Sequence, residues 1–239
     1  MIFFGLRVAG RPAVGLGIAG LALLAAGAGL GWGLHRPPAD ARAYAAMRLI
    51  AVQVHLDEAP PDYVFYAGDS QVELQPPDQR PCGLPLVNGG VSGATASAYA
   101  DHLAGLKFPV RPRAAALTIG TNDVLAKNDP RGPGAAARFE AAVERIVRGL
   151  QAVSGRVVVT ALPPVGREIA KLVDAGAVED YSRRLEVLCG RLGCAFADPF
   201  GALRDGDSGY ARPGALRDGL HLGAFRRALK MLEHNICEN

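Results

Sequence analysis

The sequence has no block of lysines and arginines interleaved with aromatics: 26 Lys and Arg stand against 23 Asp and Glu, and 6% of the residues are aromatic. That leaves nucleic acid out as a partner. None of its four cysteines lies in a CxxC or Cys/His spacing, so no metal and no other cofactor is expected. No lysine follows the glycine-rich Asn88-Gly89-Gly90-Val91-Ser92-Gly93, which argues against a nucleotide P-loop. Charge itself is missing from residues 13–34, AVGLGIAGLALLAAGAGLGWGL.

That uncharged run is as long as the ~20 apolar residues needed to cross a hydrocarbon core. Arg7 and Arg11 precede it, so residues 1–12 are expected in the cytoplasm, 13–34 as a transmembrane signal anchor, and the remainder on the extracytoplasmic side. A cleaved signal peptide is the rival reading, with apolar residues 16–24 and the small-residue site Ala26-Gly27-Ala28. Both readings export the rest of the chain. Gly15-Leu16-Gly17-Ile18-Ala19-Gly20 matches a dinucleotide-binding pattern with Asp40 downstream, but a membrane-length run offers no strand-turn-helix unit to hold it. In an oxidising compartment the cysteines would pair, and Cys189 with Cys194 is favoured by proximity among the three possible pairings.

Residues 35–59 read as a stiff His35-Arg36-Pro37-Pro38 linker and a lead-in helix over 39–56, and residues 60–239 as one catalytic domain. Within it, short apolar runs at 63–67, 84–87, 114–119, 156–161 and 194–197 alternate with amphipathic stretches at 95–106, 135–153, 177–191 and 224–236. Such alternation predicts parallel strands with crossover helices, an α/β/α three-layer sandwich with its site at the carboxyl ends of the strands. The first three strands run into Gly68-Asp69-Ser70, Asn88-Gly89-Gly90 and Gly120-Thr121-Asn122-Asp123.

A serine hydroxyl needs a base within reach, a group to orient the base, and donors for the developing oxyanion. Ser70 follows a strand, with Gly68 giving the backbone room to turn. Asp218-Gly219-Leu220-His221 sets a carboxylate and an imidazole three residues apart, so Asp218 can hold one ring nitrogen while the other faces Ser70. The amides of Ser70 and Gly90 and the side chain of Asn122 are the expected oxyanion donors. Asp69, Asn88 and Asp123 read equally well as turn residues and backbone partners.

These four blocks, in this order, resemble the SGNH hydrolases, also called GDSL esterases and lipases. The resemblance runs from about Tyr63 to the C-terminus and includes Leu162-Pro163-Pro164. It implies a flavodoxin-like parallel sheet, no metal, and catalysis by Ser70, Asp218 and His221 with Ser70, Gly90 and Asn122 around the oxyanion. Gln71 departs from the pattern, since many relatives carry an apolar residue after the serine. The expected activity is hydrolysis of a carboxylic ester of a small molecule, a lipid or an acylated glycan. Acyl transfer to, or deacetylation of, cell-envelope glycans is the alternative, and a non-catalytic binding module the third. A second Gly-Asp-Ser at 206–208 lies in a polar loop with no strand before it, and the motif alone does not make Ser208 a nucleophile.

Overall fold

The computed structural model describes residues 40–237. The apolar stretch 13–34 lies outside them, and among the described residues no helix is long and apolar enough to cross a membrane. The chain divides into Met1–Ala43 and a compact unit, Tyr44–Asn239. That unit therefore begins ahead of the boundary expected near Pro60. The reason is helix α1, Ala41–Asp57, whose Val52 and Leu56 have no exposed surface and join the main core. On the outer side of the same helix Tyr44, Met47, Ile50 and Val54 are exposed.

Five strands follow: β1 Val64–Gly68, β2 Leu86–Gly90, β3 Ala114–Thr118, β4 Val157–Thr160 and β5 Ala195–Ala197. All pair in parallel, in the order β2-β1-β3-β4-β5. This is the flavodoxin-like order, and the chain reverses its winding between β1 and β3, where such sheets open a crevice. The register brings Gly68 level with both Gly90 and Thr118 at the carboxyl edge.

The period-two alternation of a strand sorts β1 between two layers. Phe65 and Ala67 face a core shared with helices α3 (Ala96–Gly105), α4 (Ala135–Val153) and α5 (Ala175–Leu192). Val64 and Tyr66 face Leu229, Leu232 and Ile236 of α6, Phe225–Cys237. In α4 the buried side chains Phe139, Val143, Ile146, Val147 and Leu150 recur at helical spacing, so one face meets the sheet. Burying each of the larger aliphatic ones stabilises the fold by roughly 1.5–3 kcal/mol. Asp174 caps α5 by accepting from the Ala177 amide at 3.0 Å, and Gly193 ends it in the left-handed conformation.

Strand β2 starts two residues later than its apolar run at 84–87 suggests. Residue 85 is proline, which has no N–H for a ladder; only its carbonyl is used, accepting from Val64 N at 2.9 Å. Pairing then begins at Leu86 and carries Asn88-Gly89-Gly90 inside the strand. Cys189 is bonded to Cys194, and Cys82 to Cys237 across a separation of 155 residues.

Candidate active site

At the end of β1 the chain turns sharply because residue 68 is glycine. Its φ is 155°, and a Cβ there would lie 2.0 Å from the Thr118 carbonyl oxygen of β3. Asp69 then caps the single-turn helix α2, Ser70–Glu73: one carboxylate oxygen accepts from Gln71 N at 2.9 Å, the other from Thr121 N at 3.2 Å. The loop after β3 is thus bound to the turn that carries Ser70. Its next two residues continue the pattern. Asn122 Nδ2 donates to the Ala94 carbonyl at 3.0 Å, and the Asp123 carboxylate accepts from Ala96 N, at the start of α3, at 2.9 and 3.2 Å.

Across the crevice, Asp218 Oδ1 accepts from the amides of Leu220 at 3.0 Å and His221 at 2.8 Å. This closes a tight turn around Gly219, whose φ is 80°. The same carboxylate's Oδ2 lies 2.8 Å from His221 Nδ1, and His221 Nε2 lies 3.0 Å from Ser70 Oγ. With Nδ1–H donating to Asp218, Nε2 is left to accept the serine proton. Ser70 is 7% exposed, whereas the Asp218 side chain is 56% exposed, so the site is a shallow rim with a sheltered serine. Ser208, the motif's double, donates to the Asp205 carbonyl and accepts from Tyr210 N within a turn; no histidine bonds it among the described residues.

On the oxyanion side the Ser70 amide makes no hydrogen bond with a described residue. Gly90 differs from its expected role. Its amide donates to its neighbour Asn88 Oδ1 at 3.0 Å, and it is packed so closely on α2 that a Cβ would lie 2.2 Å from Glu73 N. Asn88 in turn donates from Nδ2 to the Val72 carbonyl at 2.8 Å, which fixes its amide toward Gly90. Three residues on, Gly93 has a φ of 78°, open space where a side chain would be, and an amide without a bonding partner among the described residues. It immediately precedes Ala94, whose carbonyl holds Asn122. Three glycines share that block in the sequence, and the fold shows that the Gly90 amide is already bonded while that of Gly93 is open.

Two further residues outside the expected set build this rim. Glu73 accepts from Ser92 N at 2.6 Å and from the Tyr44 hydroxyl, while Arg48 donates to the Gly90 carbonyl at 2.9 Å and to the Asn88 carbonyl at 2.8 Å. Helix α1 thereby braces the loop that carries Gly93.

The sequence profile of the GDSL-like Lipase/Acylhydrolase family matches residues 67–225, a stretch containing Ser70, Gly90, Gly93, Asn122, Asp218 and His221 but not the bracing helix α1. The chain belongs to that family. Among solved structures, this GDSL-like acylhydrolase is similar to a protein of Streptococcus pneumonia named for platelet activating factor (17% identity, 80% of this chain and 92% of that one, TM-score 0.68). It is also similar to a GDSL-like lipase from Bacteroides thetaiotaomicron (19%, 82% and 94%, 0.59) and to an acetylxylan esterase from Geobacillus stearothermophilus (15%, 74% and 93%, 0.53). At these identities the likeness establishes the shared fold. Comparison with curated proteins finds no match.

The electrostatics of this acylhydrolase separate its carboxylates. Burial, the largest single influence, pushes Asp218 up, but the His221 ring together with the His221 and Leu220 amides outweighs it and brings the carboxyl down to about 2. It is therefore ionised at neutral pH and can orient the imidazole. Asp69 is wholly enclosed, and burial raises it to about 6 against the opposing amides of Gln71 and Thr121. Burial likewise raises Asp123 to about 7, with the Ala96 amide opposing and the Asp69 charge adding.

For both raised groups the folded state holds the proton more tightly than the unfolded state. Their stabilising contribution is complete below about pH 4 and is lost as pH rises through about 6 for Asp69 and 7 for Asp123. Asp123→Asn keeps one acceptor for the Ala96 amide and removes the charge. The wild type is expected to lose about 3 kcal/mol more than this variant between pH 5 and pH 8. Denaturant melts across that range measure the difference, and parallel pH slopes for the two proteins would refute the assignment.

Proposed function

We propose that this chain hydrolyses carboxylic esters through an acyl-enzyme on Ser70. The observation that carries the reading is the continuous pair of hydrogen bonds from Ser70 Oγ to His221 Nε2 at 3.0 Å and from His221 Nδ1 to Asp218 at 2.8 Å. Ser70 Oγ attacks the carbonyl carbon as its proton passes to Nε2. The imidazolium is stabilised by the ionised Asp218. Negative charge developing on the carbonyl oxygen is met by the Ser70 and Gly93 amides and the Asn122 side-chain amide. His221 returns the proton to the departing alcohol. Water then gives a proton to His221 as it attacks the acyl carbon, and the acid leaves as Ser70 regains its hydrogen.

Membership of an acylhydrolase family and the fold shared with an acetylxylan esterase support acetylated glycans beside lipid and small aryl esters in a first substrate panel. Residues 13–34 tether the enzyme, with its catalytic unit on the extracytoplasmic side. Two disulfides suit an oxidising compartment, and the exposed apolar stripe Tyr44, Met47, Ile50 and Val54 begins only ten residues beyond that segment.

The test is direct. The full-length chain in detergent should turn over p-nitrophenyl acetate and take up one fluorophosphonate, which peptide mapping should locate on Ser70 and not on Ser208. Absence of turnover together with absence of label on Ser70 would reject the reading.

A further inference from the structure

We infer that Gln71 is a positioning residue that sets the distance of His221 from Ser70; the inference rests on the proposed role of those two groups. Gln71 is the residue at which the sequence departs from an otherwise matching motif, and it is 1% exposed. A buried primary amide needs partners for its donors and its acceptor. It finds them 149 and 151 residues away: Nε2 donates to the Leu220 carbonyl at 2.8 Å, and Oε1 accepts from the Leu222 amide at 3.4 Å. These two backbone groups flank His221 on either side. One side-chain amide therefore engages the base's own main chain as a neighbouring strand would. Among the described residues no other group bonds the Leu220 carbonyl or the Leu222 amide.

The other end of this clamp is firm. The Gln71 amide donates to the cap Asp69, and its carbonyl accepts from Gln75 Nε2 at 3.2 Å. Gln75 is held in turn by Gln79 at 2.7 Å. At the far end Asp218 is largely exposed, and its bonds orient the imidazole and close the local turn; the Gly219 carbonyl accepts from Gly166 N at 2.7 Å and the His221 carbonyl from Arg217 N at 2.9 Å, while the Gln71 side chain links the main chain on both sides of His221 to the turn that carries Ser70. Asp218 thus governs how the ring is turned, and Gln71 governs how far the ring lies from Ser70. Because Gln71 is covalently next to Ser70, displacement of the nucleophile's turn carries the base with it. Misplacing a catalytic group by about 1 Å can cost on the order of 100-fold in rate.

Gln71→Met keeps the length and burial of the side chain and removes both bonds. Gln75→Met removes a buried amide from the same ladder without touching the histidine loop. For Gln71→Met, kcat on p-nitrophenyl acetate and the rate of fluorophosphonate capture are expected to fall together by about 10–100-fold with KM within about twofold. Gln75→Met should change kcat by less than about threefold. Equal losses in the two variants, or wild-type kcat in folded Gln71→Met, would overturn the inference. Should Gln71→Met fail to fold, hydrogen exchange on the wild type decides: the Leu222 amide should be protected, and exchange at the rate of an open loop amide overturns the clamp. A wild-type chain that neither turns over nor labels rejects the Ser70 reading instead, and the exchange experiment still reports on the clamp.

Discussion

His221→Ala is expected to lower kcat for a short activated ester by about 10⁴-fold or more while leaving KM nearly unchanged. The serine hydroxyl is a poor nucleophile at neutral pH, and in this site the only ring nitrogen within hydrogen-bond distance of Ser70 Oγ among the described residues is His221 Nε2, at 3.0 Å. Ser70→Ala should fall to a similar floor. Combining the two changes should cost little more than either alone, because nucleophile and base act as a unit. The residual rate would come from the oxyanion donors, which neither substitution removes. Asp218→Asn should lose less, about 10²-fold, since a half-exposed carboxylate is partly screened by water and one amide oxygen can still cap the Leu220 and His221 amides. Steady-state kinetics on the four variants measure these effects. A His221→Ala enzyme within tenfold of wild type would rule out the proposed base.

The second large effect concerns stability. Replacing Cys82 and Cys237 together by serine is expected to reduce the unfolding free energy by about 4–5 kcal/mol, and replacing Cys189 and Cys194 by about 2 kcal/mol. The difference follows from loop size: the first bridge closes a separation of 155 residues and the second a separation of 5, so the first removes far more freedom from the unfolded chain. The long bridge also fastens the last residue of α6 to the 3-10 turn Pro81–Gly83, which leads from α2 toward β2. Leu229, Leu232 and Ile236 of that helix cover the sheet face beneath Val64 and Tyr66, and among the described residues the hydrogen bonds of Ser70 Oγ and the His221 ring involve neither bridged cysteine. The folded double variant should therefore keep its kcat at 25 °C while unfolding at lower denaturant. Equal midpoints for the two double variants would contradict the loop-size account.

Much of the site was legible because strand ends are marked by residue type. Each of the first three apolar runs is followed by a glycine or by small polar residues, and in a parallel sheet all such ends fall on one edge. Ser70 and Asn122 could be picked out on that basis, and Asp218 and His221 by the three-residue spacing of a carboxylate and an imidazole. Gly93 could not be preferred over Gly90, since the choice depends on the Asn88 side chain turning back to occupy one amide and leaving the other open. The role of Glu73 and Arg48 in bracing that loop was equally hidden, as was the inclusion of α1 in the compact unit. Their partners lie 19 to 42 residues away along the chain.

Local pattern by itself determined the strand and helix order, the parallel sheet and the nucleophile's turn, because periodicity and glycine conformational demands act over a few residues. The family resemblance also singled out Gln71 as the residue that breaks the motif, without saying why. Only the tertiary structure decided which glycine amide stays free, that Cys82 meets Cys237, and that Gln71 reaches the backbone on both sides of His221. Those outcomes depend on which buried polar group finds a partner across a distance of many residues, and such pairings exist only once the chain has closed on itself.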